Sequence, residues 1–425
     1  GRLRIVDSSG DFDEVIVQQT RSQDPLVLET HRVTNGREIL EYDSGIERLT
    51  VVGNAGQFGT SGIVDFGGDV TITSIGDVPL NLQTTGLRIV AQNFVYDREI
   101  QAGHIVLDTF KTLVLAHRLN AGHDGYLDLR SYEQGANIYL TVDLLVSSGD
   151  SWDGSGTGWI RLTAQDGSIY NENDVQLLAS AGQLIFKAKN SIGERVAPIL
   201  ARAEVVSAIT SASGTGDIVI VGQSDLAFGL QGDRTEAGMA GIRLPSETLL
   251  PVWRGQVQWD DAVTDDWLGE LANGNDVHAV AAGAGDVVLS LIEPGARLTL
   301  LSGDIVTQAP GRDMTLTAGD IDFMAGAGRV SGSGKLVIQA TDPVWNYYLG
   351  TAAETASGED LPREFYENAM ELTARDLAAL ADGFELVQIG RSEAGNLMVL
   401  GDATSESQIR LTGEVRGMDS SFRDT

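Results

Sequence analysis

Apolar and polar residues alternate along most of this chain in short runs, and a glycine opens many of them. The unit is Gly, any residue, an aliphatic residue, any residue, and another apolar residue. It occurs at Gly68-Asp69-Val70-Thr71-Ile72, then as "GHIVL" from Gly103, "GYLDL" from Gly125 and "GWIRL" from Gly158. It returns as "GQLIF" from Gly182, "GDIVI" from Gly216, "GDVVL" from Gly285, "GKLVI" from Gly334 and "GNLMV" from Gly395. The first five steps between units are 35, 22, 33, 24 and 34 residues. Period-two alternation predicts strands with one buried face. Runs this short predict strands that are unstable alone and need a similar strand on each side. The glycine is expected to supply a sharp turn or bulge with positive φ.

The segment Ala296–Phe323 states a strand and a turn twice. Leu298-Thr299-Leu300 precedes Gly303-Asp304-Ile305, and Met314-Thr315-Leu316 precedes Gly319-Asp320-Ile321. Such self-similarity, with one strand pattern per period, predicts a solenoid in which each coil stacks on the last. On this reading the two halves of the segment are one short coil apart. The competing fold is a series of antiparallel sandwiches, which would be marked by regular tight hairpins. The hairpin signals Asn35-Gly36, Asp124-Gly125 and Asp166-Gly167 are too few and too irregular for that. The expected fold is therefore all-β, a right-handed parallel β-helix.

Two stretches break the pattern. Residues 229–276 are rich in Trp and Asp and read as an excursion from the solenoid. Residues 341–383 read as an insertion with a short helix over 373–382. Thr373 is its expected N-cap, with Asp376 as the capping-box partner, Leu372 and Leu377 as a hydrophobic staple, and Gly383 just past its end. A strand "FELVQIG" follows at 384–390. The expected organisation is solenoid over 1–228, excursion over 229–276, solenoid over 277–340, insertion over 341–383 and solenoid again over 384–425.

Composition narrows the function. Across 425 residues there are 60 acids against 29 bases, a formal charge of −31, and no Cys. So negative a surface disfavours nucleic acid and anionic membranes. The absence of Cys excludes disulfides and thiolate metal sites. No apolar run is long enough to span a membrane. Gly at 51 residues, with only 9 Pro, fits many short strands joined by tight turns. The chain opens on Gly1 without an initiator Met, and a segment of a longer protein is expected. Neither end carries an amphipathic cap, so a further copy or a neighbouring segment is expected to cover an end.

Three stretches resemble known proteins. "GRDMTLTAGDI" (311–321) resembles the repeats of filamentous haemagglutinin-type adhesins. "NSIGERVAPILARAEVVSAITSASGTGDIVIVGQSDL" (190–226) and "ELTARDLAALADGFELVQIGRSEAGNLMVLGD" (371–402) are similar to units of the giant bacterial surface proteins related to them. Together they cover about a fifth of the chain. The resemblance implies a right-handed β-helix, export to the bacterial cell surface and an adhesive or structural role, in a fibre or surface layer. It carries no catalytic residues.

Candidate chemistry is sparse. Asp260, Asp261, Asp265 and Asp266 crowd into one stretch and could offer oxygen ligands to calcium, or form a solvated acidic loop. No cofactor is required, and calcium is the one candidate ion. Trp253, Trp259 and Trp267 could stack on sugars or pin the excursion to the solenoid. His117 and His123 flank a turn without the further ligands a zinc site needs. Parallel β-helices also host polysaccharide lyases and hydrolases, so a polysaccharide-binding or polysaccharide-degrading enzyme is the alternative function. It would need paired carboxylates at a set gap or a base beside acids. The four Lys (Lys111, Lys187, Lys189 and Lys335) do not cluster with acids. The expected partners are further copies or neighbouring chain, and a cell-surface or polysaccharide ligand.

Overall fold

The computed structural model describes residues 2–8, 12–18, 26–29, 32–35, 38–42, 48–53, 70–73, 80–82, 85–122, 125–146, 158–172, 176–179, 182–211, 213–229, 278–351, 369–390, 396–399, 409–411 and 414–417. The protein is nearly all β and dominated by long parallel sheets. It divides into two compact units, whose described residues fall within 1–189 and within 190–425.

In the first unit, strands Gly86–Ala91, Ile105–Thr109, Tyr126–Ser131, Trp159–Ala164 and Gln183–Ala188 pair in parallel, one after another. Leu87, Ile105, Leu127, Ile160 and Leu184 stand in one register row. Three of these tiers then add a short strand on a third sheet: Leu113–Leu115, Ile138–Leu140 and Ile169–Asn171. Ile100–Ala102, Leu119–Ala121 and Leu144–Val146 stand in parallel on a second sheet. Two buried aliphatics in a three-residue strand give back roughly 3–6 kcal/mol. Ordering three residues costs roughly as much. Such a strand breaks even alone and persists because neighbours on both sides complete its hydrogen bonds.

Among the described residues, antiparallel pairing between named strands is confined to the start of the chain. Arg2–Ser8 pairs antiparallel with Phe12–Gln18, which itself joins the parallel sheet through Arg48–Val52. The stretch "GRLRIVD", read as an uncapped end, thus supplies the outer strand of a hairpin. Asn35-Gly36 is a true hairpin signal, between Arg32–Asn35 and Glu38–Glu41. Among the described residues of 60–220, every pair of named strands is parallel.

In the second unit, Ile199–Arg202, Ile218–Gly222, Val287–Leu291, Met314–Ala318, Lys335–Ala340, Leu386–Ile389 and Ile409–Leu411 form one parallel ladder. Val205–Thr210 opens another face and divides between two rows. Its first half pairs with Leu226–Phe228, which leads to Arg297–Leu300 and Asp320–Phe323. Its second half pairs with Val280–Ala282, which leads to Ile305–Thr307 and Val330–Ser331. A side sheet holds Ala369–Thr373, Asn346–Thr351, Asn396–Val399 and Glu414–Gly417.

This register corrects the reading of 296–323. Leu298 pairs with Ile321, whereas Met314 pairs with Val287 and Leu336, in a different sheet. The two halves of the near-repeat are therefore on two faces, not one tier apart. The role of the repeated glycines changes too. Gly125, Gly182, Gly285 and Gly334 do not have positive φ. A Cβ on Gly125 would strike the Gly103 carbonyl, one on Gly182 the Gly158 carbonyl, and one on Gly285 the Gly216 carbonyl. Glycine recurs because the backbones of successive tiers meet at that corner, leaving no space for a side chain.

The helix, α1, spans Ala374–Ala378. Thr373 caps it, and Asp376 completes a reciprocal capping box. It ends four residues earlier than the sequence suggests. Val330 donates its N–H to the Ala379 carbonyl, and Ala381 donates to the Val330 carbonyl. The chain at Leu380 is thereby drawn into a parallel bridge with Val330. Gly383, with φ 123°, serves the turn into Leu386–Ile389 and not the helix end.

Candidate functional site

The face of the first unit's sheet opposite its aliphatic core carries the most organised polar chemistry. Gly86, His104, Tyr126, Trp159 and Gln183 stand in one register row. Arg88, Val106, Asp128, Arg161 and Ile185 stand in the row two residues on, and Asp108 and Arg130 in the row after that. The backbone spacing of a parallel sheet sets like positions about 4.8 Å apart, so flat rings and planar ions stack without further adjustment.

The aromatic row does stack. His104 and Tyr126 centroids lie 4.7 Å apart at 13°. Tyr126 and Trp159 lie 4.5 Å apart at 4°. The Arg161 guanidinium sits 5.6 Å above the Trp159 ring, in cation–π range. His104 reaches back across Gly86, where a Cβ would collide with the imidazole. Burial, followed by the charge of Arg48, lowers the His104 pKa to about 4.

Beside the rings runs a chain of alternating charge. Arg88 Nη2 lies 3.0 Å from Asp108 Oδ2. Arg130 Nη1 lies 3.9 Å from Asp108 Oδ1, and its Nε and Nη2 donate to Asp128 at 3.1 and 2.6 Å. Arg161 donates to Asp128 through Nε at 2.9 Å and also through Nη2. Tyr132 donates its hydroxyl proton to Asp108 at 3.1 Å. Asp108 and Asp128 are fully or almost fully buried. Burial pushes the Asp128 carboxyl up, but Arg130 and Arg161 outweigh it and hold the group well below the usual carboxylate range. An acid held ionised between two guanidinium groups does not serve as a general acid at neutral pH.

No family model, no curated protein and no solved structure matches this chain.

The second unit repeats the principle with other residues. Asp217, Asp286 and Asp313 stand in one row. Asp217 Oδ1 accepts the Asp286 N–H at 2.9 Å, Asp286 Oδ1 the Asp313 N–H at 3.0 Å, and Asp313 Oδ1 the Lys335 N–H at 2.8 Å. Each carboxylate fastens the corner of the next tier, and this is one use of the recurring Gly-Asp. Arg195 pairs with Asp286 at 2.7 Å. Elsewhere in this unit Asp304 takes Arg329 at 2.9 Å, and His278 Nδ1 lies 3.3 Å from it.

Asp260, Asp261, Asp265 and Asp266, and Trp253, Trp259 and Trp267, lie outside the described residues, as does His123. Among the described residues no three His, Asp or Glu side chains converge as a metal site. The Arg–Asp chain was missed in sequence because acids are frequent everywhere. Its signal is positional. Asp128 and Arg161 stand three residues after Gly125 and Gly158, and Asp108 and Arg130 five after Gly103 and Gly125.

Proposed function

We propose that this protein is an extracellular structural or adhesive segment of a large bacterial surface protein, folded as a right-handed parallel β-helix. The observation that carries the reading is the in-register stacking of like positions through successive tiers, on three sheets in the first unit. Repetition of this kind extends a scaffold at little cost in new sequence. The polar groups of the sheet face support the same reading, because Asp108 and Asp128 are spent on arginines of their own or neighbouring tiers. A polysaccharide-cleaving site would keep one such carboxyl protonated, whereas Arg130 and Arg161 override the effect of burial and hold Asp128 ionised.

Immuno-electron microscopy with antibodies raised against the 425-residue chain tests the location. Labelling of intact bacteria, on fibres or a surface layer, is the expected result. Labelling only after lysis overturns it. High-resolution electron microscopy of the same material reads the handedness of the coil directly.

A further inference from the structure

The third sheet of the first unit presents a second kind of surface. Val114, Tyr139 and Tyr170 occupy one register row across Leu113–Leu115, Ile138–Leu140 and Ile169–Asn171. Val95 holds the middle position of Phe94–Tyr96, a short strand earlier in the chain that pairs with Val70–Thr73 in a separate sheet. Val95 and Val114 are 57% and 46% exposed, unusual for large aliphatics on a strand. The middle positions of these four strands carry no charge, on a chain whose formal charge is −31.

We propose that this stripe binds an uncharged polysaccharide. The proposal deepens the adhesive reading, on which it rests, by assigning a surface and a ligand class. Tyr139 and Tyr170 stack at 5.3 Å and 24°, so their ring faces are used against each other. Edges and hydroxyls remain for a ligand. The Tyr139 oxygen accepts from Asn137 Nδ2 at 3.1 Å, which leaves its own proton to donate. Asn137 Oδ1 accepts the Ser168 N–H at 2.8 Å and is thereby fixed in place. The register row offers apolar contact at Val114 and hydroxyl groups at the next two tiers, repeating at the sheet spacing of about 4.8 Å. A linear chain of sugar rings presents the complementary alternation of apolar faces and hydroxyl edges.

Two arguments favour this occupant over a second copy of the protein. Three tiers by three residues is about 10 Å by 10 Å, or roughly 100 Å². A stable protein interface needs about 800 Å² per partner. A second copy would also bring its own negative charge close, whereas a neutral polymer brings none. The excess of acids disfavours anionic glycans for the same reason.

Affinity electrophoresis of the full chain tests this, in native gels containing hydroxyethylcellulose, galactomannan or dextran, with alginate as the anionic comparison. Retardation by at least one neutral polymer and none by alginate is expected. The Tyr139→Ala/Tyr170→Ala variant should lose affinity at least tenfold, and Tyr139→Phe, which keeps the stack, several-fold. Val114→Asp places a charge at an exposed position and decides the matter if the double variant fails to fold. No retardation by any neutral polymer, stronger retention by alginate, or retardation unchanged in these variants overturns the assignment. So does a dimer in sedimentation that Val114→Asp abolishes, since the stripe would then belong to a second copy. Retardation by a neutral polymer together with absence of cell-surface labelling would sink the proposed location and leave this site standing.

Discussion

At the scale of single residues, Asp128 is the most consequential side chain described. It is buried and holds two guanidinium groups from its own and the next tier. Asp128→Asn keeps the shape and removes the charge that Arg130 and Arg161 share. Breaking a buried pair from one side costs about 3 kcal/mol or more. Urea unfolding should show that loss in midpoint with an unchanged slope. His104 adds a pH dependence of the same sign at a higher window. Its pKa is about 4 in the folded protein, below its ordinary value of 6.5. The unfolded chain therefore binds more protons between those values, and stability falls as pH falls through them. The contribution is complete above about pH 6.5 and gone by about pH 4. The depressed Asp128 carboxyl takes over below that, where protonation removes its ion pairs. His104→Gln should flatten the stability profile between pH 6.5 and 4 while leaving the steeper acid limb intact. An unflattened profile would mean that some other group titrates there.

At the scale of elements, the short helix shows what sequence can and cannot specify. Thr373 and Asp376 were legible because a capping box is a local device, with donor and acceptor three residues apart. The helix end was not legible, because its cause is Val330, about fifty residues away, capturing the backbone around Leu380. Asp376 also has a distant role that the motif does not announce. Its Oδ1 accepts the Phe323 N–H at 2.7 Å, so one carboxylate both caps α1 and fastens it to Asp320–Phe323. Burial raises the Asp376 pKa, and the hydrogen bonds from Phe323 and Thr373 offset part of that. Asp376→Ala should strand the Phe323 and Thr373 N–H groups at about 1–3 kcal/mol each. Hydrogen exchange should then accelerate at 320–323 and 369–379. If the change were confined to the helix, the fastening role would be refuted.

At the scale of the whole molecule, the all-β class and parallel pairing were readable from alternation and spacing, but assignment of strands to sheets was not. Leu298-Thr299-Leu300 and Met314-Thr315-Leu316 look alike because both bury alternate aliphatics, yet they belong to different faces. Every face of such a stack uses the same few residue types, so local similarity cannot say which face a strand joins. The polar ladder was hidden for the opposite reason, since its residues are common and only their distance from the corner glycine is distinctive. That corner also governs how tier length can vary. Ile105 and Leu127, Leu127 and Ile160, and Ile160 and Leu184 are all register partners, although the loops between them differ greatly in length. Register is restored wherever glycine meets glycine, however much chain has intervened. Foreign peptide could accordingly be grafted between Val146 and Gly158 without shifting any strand. The protein thus behaves as a ruler whose marks stay put while the text between them is rewritten.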